Sequence, residues 1–297
     1  MKKIFIIGGT TFDHIVYLPQ LPQPVPQTIH VAPFNEATGS TGAGKALNLT
    51  KLAVPNTLHS VLGNDEYGKK IIAFLNEQAV DFIYDVDPKG TERHINIMDA
   101  DGGRISMFIT QSSNEVALDL KKIEQQIADC DIVVLNIIPY TLPLIPLIKK
   151  YKKEVWTDLH DYNDGNPYHE PFIDAADHIF LSSDNLSDHK TTMLQLLNKN
   201  KELIICTHGK NGATALTKSG EWIEQPALKN LKLVDANGAG DSFFAGYLFG
   251  YLKNYDVIKC MQLGTICAAY CISSAQLCYE KLNADFLITE WEKELNI

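Results

Sequence analysis

The stretch Leu233-Val234-Asp235-Ala236-Asn237-Gly238-Ala239-Gly240-Asp241-Ser242-Phe243-Phe244-Ala245-Gly246 puts two glycines around an alanine, then a carboxylate, then an apolar helical pattern. The backbone amides of Gly238, Ala239 and Gly240 can turn toward one point, where the positive end of the following helix adds roughly half an elementary charge that favours an anion. Asp241 follows within one turn. A carboxylate repels phosphate, so its placement there suits a base that takes the proton from an attacking hydroxyl as a phosphoryl group moves. Taken alone, the stretch also allows Asn237 or Asp241 to act as a plain helix cap.

Two stretches near the N-terminus complement it. Gly8-Gly9-Thr10-Thr11-Phe12-Asp13 follows an apolar run, and an ionised Asp13 at the edge of a buried strand accepts the paired hydrogen bonds that adjacent sugar hydroxyls donate. In Gly39-Ser40-Thr41-Gly42-Ala43-Gly44-Lys45-Ala46-Leu47-Asn48 the glycines admit close backbone approach, and Asn48, one turn into a helix, both donates and accepts. The same segment matches a P-loop up to Ala46, where a Ser or Thr should hold magnesium. No buried strand precedes it, and Asp131-Ile132-Val133-Val134-Leu135-Asn136 ends in Asn where a metal-binding Asp is required, so the P-loop reading is set aside. Further along, Thr207-His208-Gly209-Lys210-Asn211-Gly212 offers a hydroxyl and glycine amides to phosphate oxygens or a base pocket, or makes a plain hairpin turn.

The string Asp-x-x-Gly-Ala-Gly-Asp, with a small residue, Phe and a glycine-containing helix after it, resembles the C-terminal signature of the PfkB, or ribokinase-like, carbohydrate kinases. The resemblance runs from Gly8 to the helix after Asp241. It implies a ribokinase-like three-layer α/β/α sheet with a small β-sheet lid, and an ATP-dependent transfer to a hydroxyl of a sugar or nucleoside. Asp241 is then the base, with Gly238, Ala239 and Gly240 as the anion hole. Asp13 and the variant motif around Gly44, Lys45 and Asn48, in which Ala43 and Ala46 replace glycines, fall at the acceptor. Thr207, Gly209 and Gly212 border the nucleotide, and Asp235 contributes to a metal or monovalent-cation shell. The family's Asn-x-x-Glu, which positions magnesium-bound water, is missing. Leu181-Ser182-Ser183-Asp184-Asn185-Leu186-Ser187-Asp188 stands in its place, with Asp184 or Asp188 as the substitute carboxylate. ATP and Mg2+ are the implied cofactors. K+ is left open, because Ile272-Ser273-Ser274-Ala275-Gln276-Leu277-Cys278-Tyr279-Glu280 lacks the usual glycine.

Positioning these groups takes a parallel sheet. Short β-rich runs (IFII, DIVVLNII, EVWTDL, HIFLS, LIICT, LKLVD) end at Gly8, Asn136, Asp158, Ser182, Thr207 and Asp235, and open α/β sheets bind ligands at such carboxyl edges. Periodicity places helices at 45–53, 65–79, 119–128, 142–152, 187–198, 239–253, 256–275 and 285–295. Residues 12–38 and 83–112 break the alternation, and IYDVD, RHINIMDA and RISMFIT read as antiparallel strands of a lid that would exclude water from the transfer. The whole chain, 1–297, is thus one kinase domain with a lid, through which a homodimer could form.

Composition narrows the partners. Of 297 residues 45% are hydrophobic and 21% charged, and a formal charge of −10 argues against nucleic acid. No apolar run approaches a membrane span, and the apolar start Ile4–Ile7 is too short for a signal peptide, so a cytoplasmic protein is expected. Six cysteines, none in a Cys-x-x-Cys pair, read as reduced core residues. The histidines lack metal-ligand spacing. A nucleoside kinase, a sugar-phosphate kinase and a non-catalytic ligand sensor on the same fold are the competing functions. Arg93 is the residue on which the sugar-phosphate alternative rests.

Overall fold

The computed structural model describes residues 2–30, 32–100, 103–229, 233–274 and 276–295. Its first element, β1 (Ile4–Ile7), is four apolar residues with no solvent exposure, as a strand covered on both faces must be. After it come β2 (Thr11–Tyr17), β3 (Phe34–Gly39), α1 (Thr41–Lys51), β4 (Asn56–Leu62), α2 (Glu66–Glu77), β5 (Asp81–Val86), β6 (Arg93–Met98) and β7 (Arg104–Thr110). Strands and helices then alternate as α3 (Leu120–Asp129), β8 (Ile132–Asn136), α4 (Ile145–Lys150), β9 (Glu154–Asp158), α5 (Glu170–Ala175), β10 (His178–Ser182), α6 (His189–Leu197) and β11 (Leu203–Thr207). A hairpin of β12 (Ala213–Thr217) and β13 (Trp222–Gln225) follows, and α7 (Ala239–Leu252), α8 (Val257–Cys271) and α9 (Ala284–Leu295) complete the chain.

Nine strands form one sheet in the order β13-β12-β11-β10-β9-β8-β1-β4-β5, parallel except at the β12 and β13 edge. Side chains alternate across it: Ile4 and Ile6 pack with Leu47 of α1, Leu75 of α2 and Phe244 of α7, whereas Phe5 and Ile7 pack with Ile127 of α3, Phe172 of α5 and Met193 of α6. Helix α7 is apolar all round because it lies between the sheet and α8. Among the described residues no helix is long and apolar enough to cross a membrane. All six cysteines are buried and free.

A second sheet has the order β3-β2-β6-β7, with β2 and β6 parallel and the outer pairs antiparallel. It takes in less of 83–112 than expected. Ile83-Tyr84-Asp85-Val86 lies in β5 and pairs with β4 at the edge of the large sheet. The run LKLVD is not a strand over its described residues, 233–235, while 231–232 lie outside them. Leu233 and Val234 are 36% and 45% exposed, and the Val234 and Asp235 amides both donate to Ile272 O rather than to a strand. Helix α1 starts at Thr41 rather than at 45, so the stretch expected to be a loop is its first turn.

Candidate active site

Gly238 caps α7 with φ +79°, in the left-handed region that a side chain disfavours, and a Cβ there would lie 2.7 Å from Leu277 O. One residue into the helix, Gly240 is exposed and has nothing within 4 Å of its Cβ position. The Ala239 amide reaches back to Ala236 O at a long 3.4 Å, and the first-turn amides have no carbonyl four residues back, so this open end can receive an anion.

Asp241 turns the other way, into the protein. Its Oδ1 accepts from Lys45 Nζ at 2.5 Å, and the space for its carboxyl exists because Gly44 has no side chain: a Cβ on Gly44 would sit 2.5 Å from Asp241 Oδ2. Lys45, with no solvent exposure, also donates to Asp158 Oδ2 at 3.1 Å. Asp158, at the carboxyl end of β9, accepts from the His160 amide at 3.0 Å and has the His160 ring 3.5 Å away. One buried ammonium thus serves two carboxylates. Burial alone would lower the Lys45 pKa, but Asp241 and Asp158 outweigh it and hold it above its usual value. Burial opposes ionisation of Asp158 too, yet His160 and Lys45 bring it well below the carboxylate range. Burial pushes Asp241 up, Lys45 only partly offsets it, and the Asp158 charge adds to the rise. Asp158 therefore carries the permanent charge, and Asp241 is the carboxyl that takes a proton more readily.

This geometry corrects two acceptor assignments. Lys45 lies beneath the crevice as the counter-ion of Asp241, not at its surface. Asn48, two turns into α1 and fully buried, donates to Gly44 O at 2.8 Å and Leu277 O at 3.3 Å, and its Oδ1 has no hydrogen-bond partner. Both residues are buried within α1, and the missing side chain of Gly44 leaves the room that the Asp241 carboxyl occupies.

Asp13 sits on β2, 3% exposed. Its carboxylate accepts from Thr11 Oγ1 at 2.7 Å and Asn96 Nδ2 at 3.3 Å, with His94 Nδ1 3.6 Å away. Burial raises its pKa, against the pull of Thr11, His94 and Arg104. Register explains the grouping: Asp13 pairs with His94, Ile15 with Asn96 and Tyr17 with Met98, so these share one face of the small sheet with Ser106, whose hydroxyl donates to Asn96 Oδ1 at 2.7 Å. Arg93 faces the other way. Its guanidinium lies 4.5 Å above the Tyr67 ring and donates to Thr110. Arg104, opposite Met98, is the arginine on the Asp13 face.

Thr207 ends β11, and 208–212 form the antiparallel turn into β12, with Gly209 at φ +53° and Gly212 at φ +97°. The stretch is thus a hairpin in shape, at the same carboxyl edge as Asp158 and Ser182. His208 bonds Thr214 and lies against His189, and among the described residues no third metal ligand joins them.

Asp235 is 4% exposed and already engaged, accepting from Tyr17 OH at 3.0 Å and the Asn237 amide at 2.8 Å. Each oxygen keeps a lone pair beside its one hydrogen bond, so a cation at Asp235 is compatible with that arrangement. Burial, then the Asp235 charge, push the Tyr17 phenol up to about 12, so it stays a donor. Asp188 is spent on capping α6, accepting from the Lys190 and Thr191 amides, whereas Asp184 is exposed at the end of β10. Magnesium keeps most of its waters and needs one or two carboxylates, which Asp184 fits. Sequence reasoning marked Asp158 only as a strand end. It gave Tyr17, His94 and Asn96 no role, because their grouping depends on cross-strand register.

A sequence model described as the pfkB family carbohydrate kinase matches residues 173–282. The chain is 30% identical over 272 residues to acarbose 7(IV)-phosphotransferase of Actinoplanes sp., covering 90% of this chain and 91% of that protein. It is 24% identical over 289 residues to a nucleoside kinase of Methanocaldococcus jannaschii, covering 92% and 91%. Among solved structures, a microbiome-derived acarbose kinase superposes with a TM-score of 0.88 at 24% identity, covering 98% of this chain and 99% of that one.

Proposed function

Because the chain belongs to the pfkB family of carbohydrate kinases, we propose that Asp241 is its general base and that the acceptor hydroxyl lies between Asp241 and Asp13, under the small sheet acting as a lid. The chain is an ATP-dependent sugar kinase. The observation that carries the residue assignment is the buried Asp241 carboxyl, held by Lys45 at 2.5 Å one residue from the exposed Gly240 at the start of α7.

In this reading Asp13, fixed by Thr11 and Asn96, orients neighbouring hydroxyls of the acceptor. The reacting hydroxyl gives its proton to Asp241 as its oxygen bonds to the γ-phosphorus, and the bond from that phosphorus to the β–γ bridging oxygen breaks to leave ADP. The amides of Gly238, Ala239 and Gly240 face the charge on the transferring group. Lys45 stays protonated throughout and Asp158 stays ionised, so the proton on Asp241 has no competing site inside the protein. Thr207, Gly209 and Gly212 border the nucleotide. Magnesium, when bound, neutralises charge on the phosphate oxygens, and Asp184 is the carboxylate with the exposure to reach its water shell.

Potassium is not assigned a site. The curated relative that acts on acarbose favours a sugar-like acceptor that is not a phosphate ester. Arg93, engaged on the far face of the lid, gives no clamp for a second phosphate beside Asp13. The test is ADP formation across a panel of free sugars, oligosaccharides, nucleosides and sugar phosphates. It should be run beside Asp241→Asn, which is expected to keep ATP affinity while turnover falls on the order of 10²–10⁴-fold. A variant retaining more than about a tenth of wild-type turnover, with chemistry limiting, would remove Asp241 from the role.

A further inference from the structure

At the far end of the lid from Asp13, a cavity of about 430 Å³ opens between the lid, residues 18–30 and 32–33, and the residue before Asp235; its walls include Tyr17, Pro19, Ile29, His30, Pro33 and Val234. That volume lies within the roughly 300–1,000 Å³ of small-molecule sites. We propose that it is an outer acceptor subsite, which takes the remote rings of an oligosaccharide-type acceptor whose reacting hydroxyl lies at Asp241. The proposal rests on the kinase reading above.

Position supports it first. Asp13, Ile15 and Tyr17 lie on one face of β2, and four residues of strand at ~3.3 Å each separate Tyr17 from Asp13 by about 13 Å. That is longer than one sugar ring. The lane between them on the same face carries Asn96 and Ser106, hydrogen-bonded to each other at 2.7 Å, which are groups suited to hydroxyls along the way.

The chemistry of the walls supports it next. Ile29 and Val234 are 47% and 45% exposed, so apolar surface is left in water beside a cavity and not scattered singly. Tyr, His, Pro and Ile surfaces pack against the C–H faces of sugar rings. Among the described lining residues there is no Lys or Arg, and the one charged group, Asp99, is a carboxylate, so a phosphate or the triphosphate of ATP is disfavoured there. A neutral or amine-bearing ring is not. The Tyr17 ring is also held in place before any ligand arrives, because its hydroxyl donates to Asp235 across from the lid to the core.

The experiment compares kcat/KM for acarbose and maltotetraose with that for glucose and ribose, in the wild type, Ile29→Glu and His30→Ala, with acarbose binding followed by calorimetry. Both positions are exposed, and matched thermal melts confirm the fold. The expected result is at least a tenfold preference of the wild type for a multi-ring acceptor. In Ile29→Glu that preference is lost, with single-ring kcat/KM and the ATP KM unchanged within twofold. Equal use of long and short acceptors, or an equal fall for both in the variants, would refute the subsite while leaving the kinase reading intact. If acarbose binds with an affinity that Ile29→Glu weakens, but no acceptor yields ADP, the subsite holds and the kinase reading fails. If no multi-ring compound is either bound or turned over, the subsite is overturned outright.

Discussion

Replacing Lys45 with Met asks whether Asp241 owes its basicity to what lies beneath it. Lys45 Nζ is 2.5 Å from Asp241 and 3.1 Å from Asp158, with no exposure of its side chain. Methionine fills a similar volume without the charge and leaves two carboxyls facing the same buried space. At an effective dielectric near 20, opposite unit charges ~4 Å apart attract by about 4 kcal/mol, and about 1.4 kcal/mol is one pKa unit, which sets a ceiling of roughly 3 units on the upward shift of the pair. Entry of water and relaxation should reduce it to about 1–2 units, and the two carboxyls then titrate together around a shared proton. Asp241 must be ionised to accept a proton, so activity is lost as pH falls through its pKa. A raised pKa moves that acidic limb to higher pH. The assay is kcat/KM against pH for Lys45→Met under conditions where chemistry limits. Breaking a buried ion pair typically costs about 3–5 kcal/mol, so melts accompany the kinetics, and Lys45→Met with Asp158→Asn should recover part of that loss and bring the limb partway back. An acidic limb within about 0.3 unit of wild type, with kcat/KM within about threefold, would refute the coupling of Lys45 to the base.

Asp13→Ala should lower acceptor kcat/KM by at least about tenfold through loss of charged hydrogen bonds, while ATP affinity holds; the reverse pattern would swap the two ends of the site. Fructose 6-phosphate, tagatose 6-phosphate and fructose 1-phosphate should be poorer acceptors than their unphosphorylated counterparts. A preference of about tenfold or more for any of them, abolished by Arg104→Ala and not by Arg93→Ala, would show that the arginine on the Asp13 face binds a second phosphate. The lid edge strand β7 leaves Ile105, Met107, Phe108 and Ile109 between 38% and 54% exposed, so a homodimer through the lid is expected in sedimentation velocity and should dissociate in Ile109→Lys; a concentration-independent monomer sinks it.

The parts of the site that local rules govern could be read from the sequence. A glycine before a buried helix and a carboxylate in its first turn are set by neighbours in the chain, and Gly238 and Asp241 stand where those rules put them, whereas Asp13, expected at the carboxyl edge of the buried first strand, lies within β2 of the small sheet. The parts set by tertiary packing could not. Gly42-Ala43-Gly44 reads as a loop by propensity, since glycine weakens helices by about 1 kcal/mol relative to alanine. Yet α1 runs through it, because only a residue without a side chain lets the helix lie against the Asp241 carboxyl. With the helix begun four residues early, Lys45 and Asn48 are buried inside it rather than standing in a loop, which local propensity does not reveal.

The small sheet carries the same lesson in another form. Periodicity identified β6 as a strand, but His94 meets Asp13 only through the parallel register of β2 with β6, and nothing within either strand encodes that pairing. Residues 233–235 show the opposite failure. Leu, Val and Asp after a basic stretch look like the end of a buried strand, yet Leu233 and Val234 stay in solvent and only Asp235 is buried, tied to Tyr17 of the lid. Apolar residues ordinarily report the core because burial is where they lower the free energy. Here Val234 lines the lid cavity instead, so a pattern that periodicity assigns to the sheet belongs to the surface that meets the ligand.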